Sequence, residues 1–193
     1  MKKLNKAIVI ISKVFEVFSW IGVAAAIVMC FLVGFRNTAV SKFFTETLGS
    51  GILNDMTSGG FSIYPVDATD INLCFKCLIT LFVSMIFTYF NTAMIFRNIY
   101  LIFKTTEGKT WFAEGVTPFQ KPNIRMVREI GIFCIAIPVI NTIISAIAKL
   151  ALGPDLIETS VEMMIVIFGL VIIALSQYFA YGMQLESDVE GLV

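Results

Sequence analysis

The chain of 193 residues contains no histidine, and only 15% of it is charged. Without imidazole it lacks the commonest general base and the commonest metal ligand, which argues against a hydrolase or a metalloenzyme. We expect no enzymatic activity and no cofactor. Four cysteines are present, yet Cys74-x-x-Cys77 has no second pair with which to build a four-thiolate zinc site. Its spacing places both thiols on one face of a helix, where a redox pair is geometrically open; burial as small hydrophobes is the plainer expectation. Cys30 and Cys134 show no recognisable spacing. The sequence has no internal repeat or low-complexity tract, and nothing in it points to direct nucleic-acid binding.

The scarcity of charge is concentrated. Residues 17–35, 77–96, 130–148 and 163–185 contain no charged side chain at all, and 58% of the whole sequence is apolar. Soluble domains average roughly 45–50% apolar and about 25% charged residues. A hydrocarbon slab about 30 Å thick needs close to 20 helical residues at about 1.5 Å each, so each run is long enough to cross it. Lipid offers no partner to an open backbone, and these runs lack the alternation of a barrel strand. The expectation is an all-α, integral membrane four-helix bundle forming one domain over 1–193, with spans at about 14–35, 71–103, 130–152 and 156–181.

Lys2, Lys3 and Lys6 precede the first run and Ala24 to Ala26 lie inside it, as in a secretory signal. The apolar stretch, however, continues through Ile27, Val28 and Met29 to Val33, beyond the length of a cleavable signal, so a retained signal anchor is expected. Cations set the orientation. Lys2, Lys3, Lys6 and Lys13 lie in segment 1–16, and Arg97, Lys104, Lys109, Lys121, Arg125 and Arg128 in segment 97–129. The opposite side has only Arg36, Lys42, Lys76 and Lys149. The positive-inside bias therefore puts both termini in the cytoplasm, with an external loop at 36–70 and a cytoplasmic loop at 104–129.

The external loop carries Gly49, Gly51, Gly59, Gly60 and Pro65, with room for one short hairpin around Phe61 to Val66. The second apolar pattern, from Ile71 to Phe103, is longer than one crossing requires. Gly153-Pro154 suits a tight turn between the third and fourth helices, with glycine just past a helix end. In the cytoplasmic loop, Thr117-Pro118-Phe119-Gln120 fits one capped turn in which Gln120 completes a capping box, and a long helix restarts at Pro122. On that helix Ile124, Val127, Ile130 and Gly131 share one face, and Arg125, Arg128 and Glu129 the other. The arginines suit either lipid phosphates or a cytoplasmic docking partner.

Residues 115–131 hold Gly115-x-Thr117-Pro118-Phe119, then Asn123-Ile124-Arg125, Arg128 and Ile130-Gly131. The end of the chain holds Phe179-x-x-Gly182-x-x-Leu185-x-x-Asp188-Val189. Together these resemble a bacterial family of small four-helix integral membrane proteins catalogued as a domain of unknown function. That resemblance implies a bacterial cell membrane, a role in membrane-linked regulation or envelope stress, and, as often in that family, a neighbouring gene for a Cro/C1-type helix-turn-helix regulator. It implies no catalytic residue. The partner-binding candidates are Thr117, Pro118, Phe119, Asn123, Arg125 and Arg128.

A second candidate is polar. Lys76, Lys149, Glu158 and Glu162 lie at outer span edges, the two glutamates one helical turn apart. Tethering ion pairs or snorkelling would explain them, and so would a ligand or proton site. At the inner edge Glu16 and Arg97 end adjacent spans. Asn91 and Asn141 fall near mid-membrane, where a hydrogen bond between them is expected. Ser19, Gly22 and Ala26 form a small-residue stripe, and Pro138 should bend the third helix. Two functions follow. One is a signalling or regulatory protein with a cytoplasmic partner; the other is a small transporter, channel or immunity-type protein, which as four spans would require a homo-oligomer.

Overall fold

The computed structural model describes residues 2–35, 56–58, 61–63, 71–153, 157–159 and 161–190. Four helices dominate: α1 (Lys2–Gly34), α2 (Ile71–Thr106), α3 (Lys121–Leu152) and α4 (Met163–Glu190). Each is long and apolar enough to cross a membrane. Three short strands, β1 (Met56–Ser58), β2 (Phe61–Ile63) and β3 (Ile157–Thr159), form an antiparallel sheet in the order β1-β2-β3.

Burial is inverted relative to a water-soluble fold. Phe18 and Ile21 of α1 and Phe168, Leu170 and Val171 of α4 are exposed, while Ser84, Ser145 and Ser176 are fully buried. Buried polar side chains are as numerous as buried apolar ones among the described residues. Such a surface is costly in water and ordinary in lipid, where interhelical faces favour small and polar residues. The chain is accordingly built as a multi-pass membrane protein.

The helices are longer than the charge-free runs. α2 has 36 residues, about 54 Å of helix against a slab of about 30 Å. α1 starts at Lys2, so its lysines are helical. Two sequence expectations are corrected at α4. It starts at Met163, because residues 157–159 pair with β2 instead of continuing a helix from 156. The alternating, β-branched Ile157-Glu158-Thr159 suits a pleated edge, and pairing satisfies its backbone groups. The link between α3 and α4 is therefore a strand-bearing segment, although Gly153 does take a left-handed φ of 107° just past α3. At its other end α4 continues to Glu190 rather than stopping near 181, which makes the acidic tail helical. The hairpin pairs Met56 with Ile63 and Ser58 with Phe61, earlier in the chain than expected.

The chain divides into two compact units. The first comprises Met1–Ser19, Asn91–Ala136 and Met163–Val193. Within it Gly131 and Gly169 bring the backbones of α3 and α4 together: a Cβ added at Gly131 would lie 2.7 Å from the Gly169 carbonyl, and one at Gly169 2.8 Å from that of Gly131. No side chain fits there. Phe15 stacks on Phe96 at 5.0 Å, and Lys13 bonds the buried Glu16 while lying 5.1 Å from the Tyr100 ring.

The second unit comprises Trp20–Phe90 and Ile137–Glu162. Its apolar centre is Val33 against Leu78, surrounded by Met29, Phe75, Ile79 and Phe82. Gly22 receives the Tyr89 ring, 3.0 Å from where a Cβ would be, in keeping with a small-residue stripe on α1. Ser84 donates to Asn141 Oδ1 at 2.7 Å, and Asn141 Nδ2 donates to Thr88 at 3.2 Å. The asparagine thus links α3 to α2 inside apolar surroundings. Pro138 sits within α3, leaving the Cys134 carbonyl without its helical donor, and Thr142 Oγ1 bonds back to the Pro138 carbonyl.

Candidate functional site

The loop between α2 and α3 is the best-defined polar structure in the first unit. α2 ends in a Schellman arrangement: Gly108 takes φ 68° and donates to the Thr105 carbonyl at 2.9 Å, and Lys109 N donates to the Lys104 carbonyl at 2.9 Å. The chain then has no regular structure until Lys121, so its polar groups need other partners. Gln120 supplies them. Its side-chain amide shares two N–H groups among the carbonyls of Thr105, Gly115 and Thr117, and its Oε1 accepts from Glu114 N at 2.9 Å. This arrangement replaces the expected capping box. The bond to Thr117 runs to its carbonyl rather than from its N–H, and Gln120 caps α3 through its own carbonyl, which accepts from Ile124 N. Pro122 falls in the first turn, where a missing N–H costs nothing.

Asn123 is a second anchor, with none of its surface exposed. Its Nδ2 donates to the Pro118 carbonyl at 3.0 Å and to Thr106 Oγ1 at 3.2 Å. Thr106 already donates to the Ile102 carbonyl, so no hydroxyl proton reaches the asparagine oxygen. Oδ1 remains buried without a partner among the described residues.

The loop is also fastened to the end of α4. Thr117 Oγ1 donates to Glu186 Oε2 at 2.9 Å and accepts from Phe119 N at 3.2 Å. The Phe119 ring lies 5.7 Å from that of Phe179, and Gly182 makes room for it, since a Cβ there would meet the ring at 2.6 Å. Two distant sequence motifs, 115–119 and 179–182, therefore touch. An open notch of about 400 Å3 lies beside this clasp, lined by Glu114, Thr117, Gln120, Glu186 and Ser187 among others.

No protein-family model, curated protein or solved structure matches the chain. Its residues carry the argument alone.

Of the six partner-binding candidates, Thr117 and Phe119 are committed to the clasp and Asn123 is wholly internal. Pro118, Arg125 and Arg128 are exposed. Arg125 Nε bonds Glu129 at 2.8 Å, and Asn98 donates to the other carboxylate oxygen at 3.2 Å. The sequence did not point to Glu186 as Thr117's acceptor, nor to Gln120 as a four-bond hub. The i, i+3 spacing of Phe179 and Gly182 was the signal available for the clasp.

Lys76, Lys149 and Glu162 all fall in the second unit, with Lys76 and Glu162 exposed and Lys149 half-buried. Among the described residues none of the three forms an ion pair. The side chain of Glu158 lies outside the described residues, as does that of Cys74; Cys77 is buried. Arg97 is exposed rather than paired with Glu16, which Lys13 holds.

Proposed function

We propose that this is a multi-pass protein of the bacterial cell membrane, with both termini cytoplasmic, that belongs to the four-helix family its motifs resemble. It acts as a signalling or regulatory protein without enzymatic activity. A cytoplasmic partner engages the 107–120 loop, Arg125 and Arg128 at the start of α3, and the end of α4. One observation carries this: the loop is fixed internally by Gln120 and externally by the Thr117–Glu186 and Phe119–Phe179–Gly182 contacts. An ordered loop joined to the end of an apolar helix converts a displacement of that helix into a displacement of its own surface. Val116, 82% exposed on that loop, supplies an apolar contact, and Glu114 and Glu186 in the notch suit a basic side chain of the partner.

A helix-turn-helix regulator of the Cro/C1 type is the partner implied by the resemblance. Co-expression with a Cro/C1-type regulator from the gene neighbourhood that the resemblance implies tests this. Arg125→Glu with Arg128→Glu should abolish co-purification while membrane insertion stays intact; undiminished recovery would overturn the docking role. The rival, an oligomeric transporter, channel or immunity-type protein, draws on the polar groups of the second unit. Ser84, Thr88 and Asn141 there bond one another, which supports helix packing more than a path.

A further inference from the structure

We propose that the first unit contains a binding site for the phosphate headgroup of an anionic glycerophospholipid, in the cavity between α2 and the start of α3. The inference rests on membrane residence and not on the partner reading above. The cavity holds about 560 Å3. Three cations line it: Arg97 from α2 and Lys121 and Arg125 from α3.

Their terminal nitrogens are available. Arg97 and Lys121 are exposed and bond no carboxylate among the described residues, and Arg125 uses only Nε, toward Glu129. The two terminal nitrogens of Arg125 remain for an oxyanion. Its guanidinium is held by a chain anchored on a buried residue, because Asn98, only 4% exposed, donates to Glu129 Oε2 while Glu129 Oε1 takes the exposed Arg125. Both Glu129 oxygens are thereby occupied. Glu114 is the remaining carboxylate on the lining, so three cations face two acids, one of them already neutralised. The amide groups at the start of the 32-residue α3 add to the positive potential.

Position and lining select a lipid over a free anion. Arg97 directly follows the charge-free run 77–96, and Lys121 and Arg125 precede the run 130–148, so these cations lie where apolar spans end. Headgroup phosphates occupy that depth. Met94, Leu101 and Met126 give the cavity an apolar wall suited to glycerol and the first acyl carbons, which inorganic phosphate would not fill. Trp111, 94% exposed at the same cavity, has the amphipathic ring that membrane interfaces favour. Arginine matches phosphate oxygens with paired donors, and basic pockets at helix ends hold anionic headgroups.

The test uses the full chain with Trp20→Phe, so that Trp111 is its sole tryptophan. It is reconstituted in phosphatidylcholine nanodiscs doped with brominated phosphatidylglycerol or, separately, brominated phosphatidylcholine. Quenching of Trp111 should show a preference for phosphatidylglycerol on the order of tenfold, because the three cations favour an anionic headgroup over a zwitterionic one. Arg97→Gln with Lys121→Gln, neither in the proposed partner surface, should reduce it to about twofold or less. Lys149→Gln, outside the cavity, should leave it intact. Equal quenching by both lipids, or a preference unchanged in the double variant, would overturn the proposal. In detergent, inorganic phosphate replacing phosphatidylglycerol with equal effect on Trp111 emission would overturn the lipid assignment in favour of a free anion.

Discussion

In the first unit one set of buried polar groups serves a loop: Gln120, Asn123 and Thr105 close a segment with no regular backbone pairing of its own. In the second unit they belong to the apolar helices themselves, where Ser84, Asn141 and Thr88 join α2 to α3. The two sets do different physical work. A loop amide that loses its partner leaves several carbonyls unsatisfied at once, whereas a helix whose backbone is already paired loses only a side-chain bond. Polar burial near the loop therefore specifies a conformation, and polar burial between the spans specifies which helix faces meet.

That contrast can be tested in order of expected effect. Leucine at Gly169 would drive a side chain into the Gly131 carbonyl, so Gly169→Leu should abolish the folded monomer in detergent, read by size exclusion and thermal melting. The milder Gly131→Ala should cost about 1–3 kcal/mol by overpacking. Retention of the wild-type melt in Gly169→Leu would mean that α3 and α4 do not meet at these glycines.

Next, Gln120→Leu should cost about 1–3 kcal/mol, since the Gly115 and Thr117 carbonyls lose this donor while that of Thr105 keeps Gly108 N, and should expose the 107–120 loop to protease. Asn141→Leu should cost about 1 kcal/mol without changing loop cleavage. Equal loop cleavage in both variants would erase the distinction between the two regions.

The smallest effect is at Glu107, just past α2. A hydrogen bond from Lys109 holds its carboxyl below the ordinary glutamate value, against a weaker opposing desolvation, with Lys109, Lys104 and Lys6 adding attraction. A pKa lowered in the folded state means stabilisation that is present above the unfolded pKa and lost as pH falls through the folded one. The carboxyl pairs at the surface, where solvent screens it, so the effect should be visible as a titration shift rather than a change in melting. NMR titration of the Glu107 carboxyl should move toward the ordinary value in Lys109→Gln.

How much was legible beforehand varied with the kind of signal. The charge-free runs placed all four apolar helices, because a span must keep charge out of hydrocarbon over a length the bilayer fixes. Gly153 marked a helix end for a similarly local reason, its left-handed φ. The start of α4 was misplaced: whether Ile157-Glu158-Thr159 is helix or strand depends on β2, nearly a hundred residues earlier. Thr117 and Phe119 stood out as a motif, but a motif alone does not show whether its side chains face a partner or the chain's own terminal helix. Arg97, Lys121 and Arg125 were each visible as cations at span ends, not as one cavity.

The sequence by itself determined the class, four apolar helices with cations clustered at particular ends, because hydrophobic length and charge exclusion are properties of contiguous residues. Only the tertiary structure decided what the polar residues do. Gln120 became a hub, Thr117 found Glu186, and Gly131 met Gly169, because such contacts depend on distance in space, which sequence separation does not encode.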